Sequence, residues 1–253
     1  MPADRRSYPQ SDIKKLWGES AGRCAFPRCK QKCVIDETEF DEKAIIGKIA
    51  HIFAHSDIGP RANPNLTRKE RDSYSNWILL CGTHHDLVDI QSNTYTAENL
   101  LRWKTLHKEW VDSQLQNEMT EVSYAELEVV AQKIIGDPFP PFTSFELTPP
   151  NEKMERNQLT NSIRADIISG MVKAKEVEAF IHGMVLLDRF FPERLRAGFI
   201  TRYDNLKATG LNGDELFLEL WELAAGRSMD FRRRAAGLAI LVYLFQVCDV
   251  FEP

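Results

Sequence analysis

The chain has 253 residues, of which 43% are hydrophobic and 27% charged, and its formal net charge at pH 7 is −5. These values fit one large or two ordinary folded domains and exclude a chain that is disordered throughout. The acidic excess lies in residues 121–253, whereas acidic and basic side chains balance in residues 1–120. Because nucleic-acid-binding proteins are usually basic, any such contact here would depend on a local patch.

The sequence predicts a cytoplasmic protein without membrane contact. Residues 1–10 are polar and include Arg5 and Arg6, and no apolar segment follows them, so no signal peptide is predicted. The longest apolar run, residues 235–245, is too short to cross a bilayer and predicts a buried helix. In a reducing compartment, clustered cysteines bind metal more often than they form disulfides.

Two pairs of candidate metal ligands lie far apart in the sequence. Cys24 and Cys29 flank a proline turn in a C-x4-C pattern, and Cys81 and His84 form a C-x2-H pattern across a second tight turn. Four ligands from two turns make a closed tetrahedral site, which predicts structural Zn²⁺. The plain alternative is four unrelated core residues. Cys33 follows closely and is interpreted as a spare thiol or a substitute for Cys29.

The second pair belongs to a stretch around which the first half of the chain is organised. Residues 44–53 predict a strand that carries His51, and a long polar loop from residue 55 to 75 follows it. Asn76 then opens a second strand, which turns into a short helix carrying His84 and His85. Adjacent helical side chains point about 100° apart, so His85 is predicted to serve a different site from His84.

These elements together resemble the HNH nuclease family, which has the ββα-metal fold, and in particular its zinc-stapled branch. The resemblance covers roughly residues 20–112. It is carried by Cys24 and Cys29, Ala50-His51-Ile52, Gly59-Pro60-Arg61, the segment from Asn76 to Cys81, and His84-His85. It implies an endonuclease that hydrolyses DNA phosphodiester bonds with a divalent cation, Mg²⁺ or Mn²⁺.

The resemblance also implies a role for each residue. His51 would be the general base, because a neutral imidazole with a pKa near ~6.5 can accept a proton from water at physiological pH. His85 would ligate the catalytic cation, and Asn76 would tie the loop to the strand and orient His51. Phosphates flanking the cleaved bond would be contacted by Arg61, Arg68 and Arg71.

The residue before the predicted base departs from the family pattern. Many HNH enzymes carry aspartate there as a second cation ligand, whereas this chain has Ala50. His55, Asp57 or water would then complete the cation's shell. Alternatively, His51 itself is the ligand and another group is the base. A non-cleaving, zinc-stapled module that binds DNA or protein is therefore the alternative function.

The second half of the chain predicts an all-α domain, so the predicted fold class is α+β. Two proline clusters in residues 136–150 predict a linker. The predicted divisions are an HNH domain at 1–120, a helix with the proline-rich linker at 121–150, and a helical domain at 151–253. Within the last, apolar periodicity predicts helices at 154–171, 173–191, 193–208, 213–223 and 230–251.

Residues 150–253 are similar to the C-terminal domains of effectors from bacterial ABC-three-component defence systems. The similarity is carried by the segments 153–159, 213–217 and 243–252. It implies an anti-phage nuclease whose helical domain docks protein partner subunits, one of them an ATPase of the ABC class. Double-strand cutting by a nuclease with a single site generally needs two copies, so a homodimer is also expected.

Overall fold

The computed structural model describes residues 8–136, 150–247 and 251. Its contacts divide the chain into two compact units, Met1–Asp112 and Ser113–Pro253. The strands of the described residues lie in the first unit, and the second unit is helical, which confirms the predicted α+β class. No helix among the described residues is long and apolar enough to cross a membrane.

The first unit is built on two short antiparallel ladders and the helices beside them. Strand β1 pairs with β2, and β3 pairs with β4 in a register that places His51 opposite Trp77 and Gly47 opposite Cys81. Its elements in chain order are α1 (Gln10–Glu19), β1 (Val34–Ile35), β2 (Ala44–Ile45), β3 (Gly47–His51), α2 (Arg68–Arg71), a 3₁₀ turn (Tyr74–Asn76), β4 (Trp77–Cys81), α3 (Gly82–Ile90) and α4 (Ala97–Glu121).

Strand β4 is the centre of this unit's core. All five of its residues are buried, and Leu16 of α1, Val88 of α3 and Leu100 of α4 belong to the same apolar cluster. Burying one such aliphatic side chain stabilises the fold by about 1.5–3 kcal/mol. The ladder therefore has little freedom to shift its register, which fixes the ends of β3 and β4 relative to each other.

The structure corrects two expectations for the first unit. The single strand predicted over residues 44–53 is two strands, because the backbone N–H groups of Ile46 and Gly47 both donate to the carbonyl of Cys33. The polar loop of residues 55–75 contains α2, which begins at a capping box formed by Thr67 and Glu70.

The second unit is a bundle around α11. This helix is buried on almost every side and packs against α5, α7, α8 and α10, as its continuous apolar sequence predicts. The unit's helices are α5 (Tyr124–Ile134), α6 (Pro150–Arg156), α7 (Asn161–Met171), α8 (Ala174–Val185), α9 (Phe191–Ala208), α10 (Gly213–Ala224) and α11 (Phe231–Val247).

The continuous helix predicted over residues 154–171 is wrong. Helix α6 ends at Arg156, Gln158 adopts a left-handed φ of 57°, and Thr160 caps the start of α7 with its side chain. Asp214 accepts hydrogen bonds from both the backbone N–H and the hydroxyl of Thr160. These polar contacts stabilise the break, which apolar spacing alone does not reveal.

The structural division of the chain differs from the predicted one. It falls between Asp112 and Ser113, inside α4, whereas the first domain was predicted to end at residue 120. Helix α5, predicted to precede the linker, packs against α8, α9, α10 and α11 and so belongs to the second unit. Residues 137–149, which hold the proline clusters, lie outside the described residues.

Candidate metal and active sites

The four predicted zinc ligands come together in the first unit. One ligand atom from each of Cys24, Cys29, Cys81 and His84 lies within 4.8 Å of the others. Nδ1 of His84 is 3.1 Å from Sγ of Cys81 and 3.6 Å from Sγ of Cys24. In tetrahedral zinc, bonds of about 2.3 Å to sulfur and about 2.0 Å to nitrogen separate the two ligand atoms by about 3.5 Å. The donor set and its spacing therefore fit Zn²⁺.

Local turns and a stacked aromatic ring hold this cluster. The backbone N–H of Cys29 donates to the carbonyl of Phe26, and Arg28 adopts a left-handed φ of 62° that closes the turn. The ring of Phe26 stacks on that of His84, with centroids 3.9 Å apart, and meets Trp103 of α4 edge-on. Helix α4 thus covers the cluster, which fixes the imidazole plane.

Burial sets the protonation of the ligands. It raises the pKa of the Cys24 thiol, while backbone N–H groups of Cys81 and Phe26 act in the opposite direction. Burial also lowers the pKa of His84, which favours the neutral imidazole that a metal requires. Because buried thiols release their protons only to a strong positive charge, ion binding and folding of this unit are coupled.

Cys33 does not belong to the cluster. It is fully buried beside β2 and β3, where its backbone carbonyl accepts hydrogen bonds from Ile46 and Gly47. Burial raises the pKa of its thiol to about 12. The geometry therefore supports Cys33 as a core thiol and does not support it as a substitute for Cys29.

A second cluster forms where β3 ends. Oδ1 of Asp72 lies 3.3 Å from Nε2 of His51 and 2.7 Å from Nδ1 of His55. The three side chains are 8–9% exposed, and their ligand atoms lie within 4.8 Å of one another. His51 is thus held by a buried carboxylate, and His55 lies in the same cluster.

Asp72 is not among the site residues predicted from the sequence. It caps the C-terminus of α2, which lies inside the segment predicted to be a polar loop. The one local signal was the capping box, Thr67 to Glu70, which predicts a helix start and therefore a short, ordered segment reaching Asp72. Its approach to His51, 21 residues earlier in the chain, has no signature in the sequence.

Asn76 joins the segments that carry this cluster. Its side-chain oxygen accepts a hydrogen bond from the backbone N–H of Phe53 (2.8 Å), and its amide nitrogen donates to the carbonyls of Phe53 (2.8 Å) and Arg71 (2.9 Å). Phe53 lies between His51 and His55, and Arg71 precedes Asp72. One buried amide therefore fixes both backbone segments at once.

Two of the three predicted phosphate-binding arginines point inward. The side chain of Arg61 is 4% exposed; it donates to the carbonyls of His51, Ile52 and Val88 and pairs with Asp89 at 2.6 Å. Arg71 donates to the carbonyls of His55 and Asn63 and pairs with Asp57 at 2.7 Å. Buried guanidinium groups already engaged in this way do not face a phosphate, so the geometry does not support either assignment.

Two further predicted residues, Arg68 and Asp57, lie at the surface. Arg68 is exposed on α2 and remains a candidate for phosphate contact. Asp57 is exposed and pairs with Arg71, and it does not belong to the His51 cluster, so the structure does not support it as a cation ligand. Ala50 is fully buried in β3 and offers no ligand atom.

His85 has its own carboxylate partner. Its Nδ1 lies 3.1 Å from Oδ1 of Asp86, which also pairs with Lys48 of β3 at 2.9 Å. The hydrogen bonds from Lys48 and His85 lower the pKa of Asp86. An imidazole that donates from Nδ1 presents the lone pair of Nε2, which is the arrangement of a metal-ligating histidine. His85 belongs to neither of the two metal-ligand clusters found among the described residues.

Comparison with known families agrees with this geometry. Residues 33–91 match a family model described as HNH endonuclease, a range that runs from β1 to the end of α3 and contains His51, Asp72, Asn76, His84 and His85. A comparison of the chain with curated proteins found no match. The family match supports the HNH resemblance of this segment and indicates nuclease activity.

Proposed function

We propose that the protein is a metal-dependent HNH endonuclease that cleaves DNA phosphodiester bonds. The observation that carries the proposal is the pairing of His51 with buried Asp72 at the end of β3, inside the segment that matches the HNH family. An imidazole fixed by a carboxylate in this way has the arrangement of a general base.

His51 is the base in this proposal. A neutral imidazole that donates Nε2–H to Asp72 carries its lone pair on Nδ1, the nitrogen that accepts a proton from the attacking water. Asp72 holds this tautomer and stabilises the imidazolium that forms. Asn76 keeps the backbone on both sides of the pair in place.

His85 is the proposed ligand of the catalytic Mg²⁺ or Mn²⁺. Asp86 holds the ring of His85 so that Nε2 offers its lone pair. The bound cation would neutralise charge on the phosphate and on the leaving oxygen. Since Ala50 offers no ligand atom, we propose that water completes the shell. Cys24, Cys29, Cys81 and His84 would hold a structural Zn²⁺, which would join β4 and α3 to the turn between Cys24 and Cys29.

The test is nicking of supercoiled plasmid with added Mg²⁺ or Mn²⁺. His51→Ala is expected to lower the rate by about 10²–10⁴-fold, the usual contribution of a general base. His182→Ala is the matched control, because it removes an exposed histidine from α8 in the other unit and should leave the rate unchanged. Equal rates for His51→Ala and wild type would remove His51 as the base.

The alternative is a zinc-stapled module that binds DNA or protein without cutting. Ala50 favours it, because the family's second cation ligand is missing there. The same plasmid distinguishes the two functions. A shift of plasmid mobility on a gel without nicking, at any Mg²⁺ or Mn²⁺ concentration, would favour the binding module.

For the second unit, we propose docking of partner subunits, including an ABC-class ATPase, in a bacterial anti-phage defence system. The resemblance of residues 150–253 supports this role. Apolar side chains exposed on α7, just beyond α7 and just beyond α8 also support it, namely Ile168, Val172, Leu186, Leu187 and Phe190. Co-purification of the full-length protein with the products of neighbouring genes tests the partner. Sedimentation of the purified protein tests the proposed homodimer.

A further inference from the structure

We propose that His51, His55 and Asp72 form a second metal site of the two-histidine, one-carboxylate type, and that an ion held there blocks the base function of His51. The three ligand atoms lie within 4.8 Å of one another, with contacts of 3.3 and 2.7 Å to the shared carboxylate oxygen. An ion with bonds of about 2.0–2.1 Å separates neighbouring nitrogen and oxygen ligands by about 2.9–3.4 Å. The two contacts to Asp72 therefore lie within or a few tenths of an ångström from this range.

The scaffold around these ligands is fixed before any ion binds. The Asn76 amide ties the carbonyl of Arg71, next to Asp72, to the backbone of Phe53, between the two histidines. The guanidinium of Arg71 donates to the carbonyl of His55 at 3.0 Å. Because the backbone on every side of the cluster is held by buried hydrogen bonds, little ordering entropy opposes ion binding.

The donor atoms select the class of ion. Two imidazole nitrogens and one carboxylate oxygen suit Zn²⁺, Co²⁺, Ni²⁺ or Fe²⁺. Mg²⁺ prefers oxygen ligands and retains its water, so it competes poorly for this cluster. The site also differs from the Cys24–Cys29–Cys81–His84 cluster, which offers three sulfurs and one nitrogen.

Ion binding and base function need opposite tautomers of His51. In the base-competent form, the proton is on Nε2 and is donated to Asp72, and the lone pair is on Nδ1. An ion at the cluster takes the lone pair of Nε2, so the single proton of the neutral ring moves to Nδ1. His55 changes in the same sense, from Nδ1–H to Nε2–H. No net proton is released, and Nδ1 of His51 can no longer accept one.

Inhibition by the ion rests on the proposed nuclease function, whereas ion binding itself does not. If His51 is the base, Zn²⁺ or Co²⁺ at this cluster lowers Mg²⁺-supported cleavage by about 10²–10⁴-fold, as His51→Ala does, because the base contribution is lost. The two parts can fail separately, since binding is measured without DNA.

Binding is measured by adding Co²⁺ to the full-length His85→Ala protein that already carries one Zn²⁺ per chain, so that the proposed catalytic cation site cannot take up the added ion. The same background is used for every variant below. We expect one further ion per chain by elemental analysis. Its visible absorption should lack the intense charge-transfer bands of cobalt thiolates, because no sulfur lies in the cluster. His55→Gln and Asp72→Asn should each lose this second ion and keep the zinc, and His182→Gln, which removes an exposed histidine from α8, should keep both.

Several outcomes would overturn the proposal: no second ion in His85→Ala, a second ion that persists when His55→Gln is added to it, or thiolate bands that grow with the second ion. X-ray absorption on His85→Ala covers the case in which a further substitution causes misfolding, since the second ion must show nitrogen and oxygen neighbours only. If the second ion binds as expected but the wild-type protein nicks plasmid neither with nor without that ion, the metal site stands and the nuclease proposal fails.

Discussion

Replacing Asn76 tests how the strand end and the loop are held together. In Asn76→Ala, the N–H and carbonyl of Phe53 and the carbonyl of Arg71 lose their side-chain partner. Asn76 is 5% exposed, so water replaces these contacts poorly. Each lost bond costs about 0.5–1.5 kcal/mol, and a buried group left without a partner costs about 1–3 kcal/mol. We expect the free energy of unfolding of the first unit to fall by about 2–4 kcal/mol.

Asn76→Asp is the sharper comparison. A carboxylate can still accept from the N–H of Phe53, but it has no hydrogen to donate to the carbonyls of Phe53 and Arg71 and faces them with negative charge. It should therefore destabilise at least as much as Asn76→Ala, although its shape is nearly unchanged. Asn93→Ala removes an exposed asparagine from the same unit and should change little.

The assay is urea unfolding of the zinc-loaded protein, followed by tryptophan fluorescence. Four of the five tryptophans, at positions 17, 77, 103 and 110, lie in the first unit, so the signal reports mainly on it. A midpoint for Asn76→Asp equal to that of the wild type would show that the amide hydrogens do not hold these carbonyls. The Asn76 amide would then not be what fixes the backbone at the end of β3.

Three further predictions concern the same unit. Arg61→Lys should lower the unfolding free energy by about 2–4 kcal/mol in the same assay, because an ammonium group cannot span three carbonyls and Asp89; an unchanged midpoint would contradict this. Cys81→Ser should lose zinc and the cooperative fluorescence transition together, and a zinc-free variant with a wild-type melting temperature would refute a structural ion. Burial lowers the pKa of His107 from 6.5 to about 4, so the neutral ring stabilises the fold fully above pH 6.5, and this contribution declines as the pH falls toward 4. The wild type should therefore lose on the order of 3 kcal/mol relative to His107→Gln across that window, and parallel pH profiles of urea midpoints would exclude it.

The local features of the site could be predicted from the sequence. The apolar run before Cys81, the tight turn and the adjacent histidines predict strand, turn and helix, because each signal lies within a few residues. The two pairs of candidate zinc ligands, Cys24 with Cys29 and Cys81 with His84, could also be predicted, because the members of each pair lie within one turn. Their meeting requires only that β4 pass beside the Cys24 turn, where Ala25 donates its backbone N–H to Leu79.

Contacts across the fold could not be predicted in this way. Arg61 was predicted to contact phosphate because it is a charged residue in a polar loop. The direction of its side chain depends on carbonyls of β3 and α3, which no local pattern reveals. The role of Asp72 could not be predicted either, because its partners are two histidines 17 and 21 residues earlier in the chain. The break between α6 and α7 likewise depends on Asp214, which is 54 residues from Thr160.

The central claim is that adjacent imidazoles serve different sites, with His84 in the structural cluster and His85 beside the cleavage site. The most direct measurement is zinc content and plasmid nicking on the same preparation of His85→Ala. We predict one zinc per chain, as in the wild type, and no Mg²⁺-dependent nicking. Loss of the zinc, or nicking at the wild-type rate, would contradict the account.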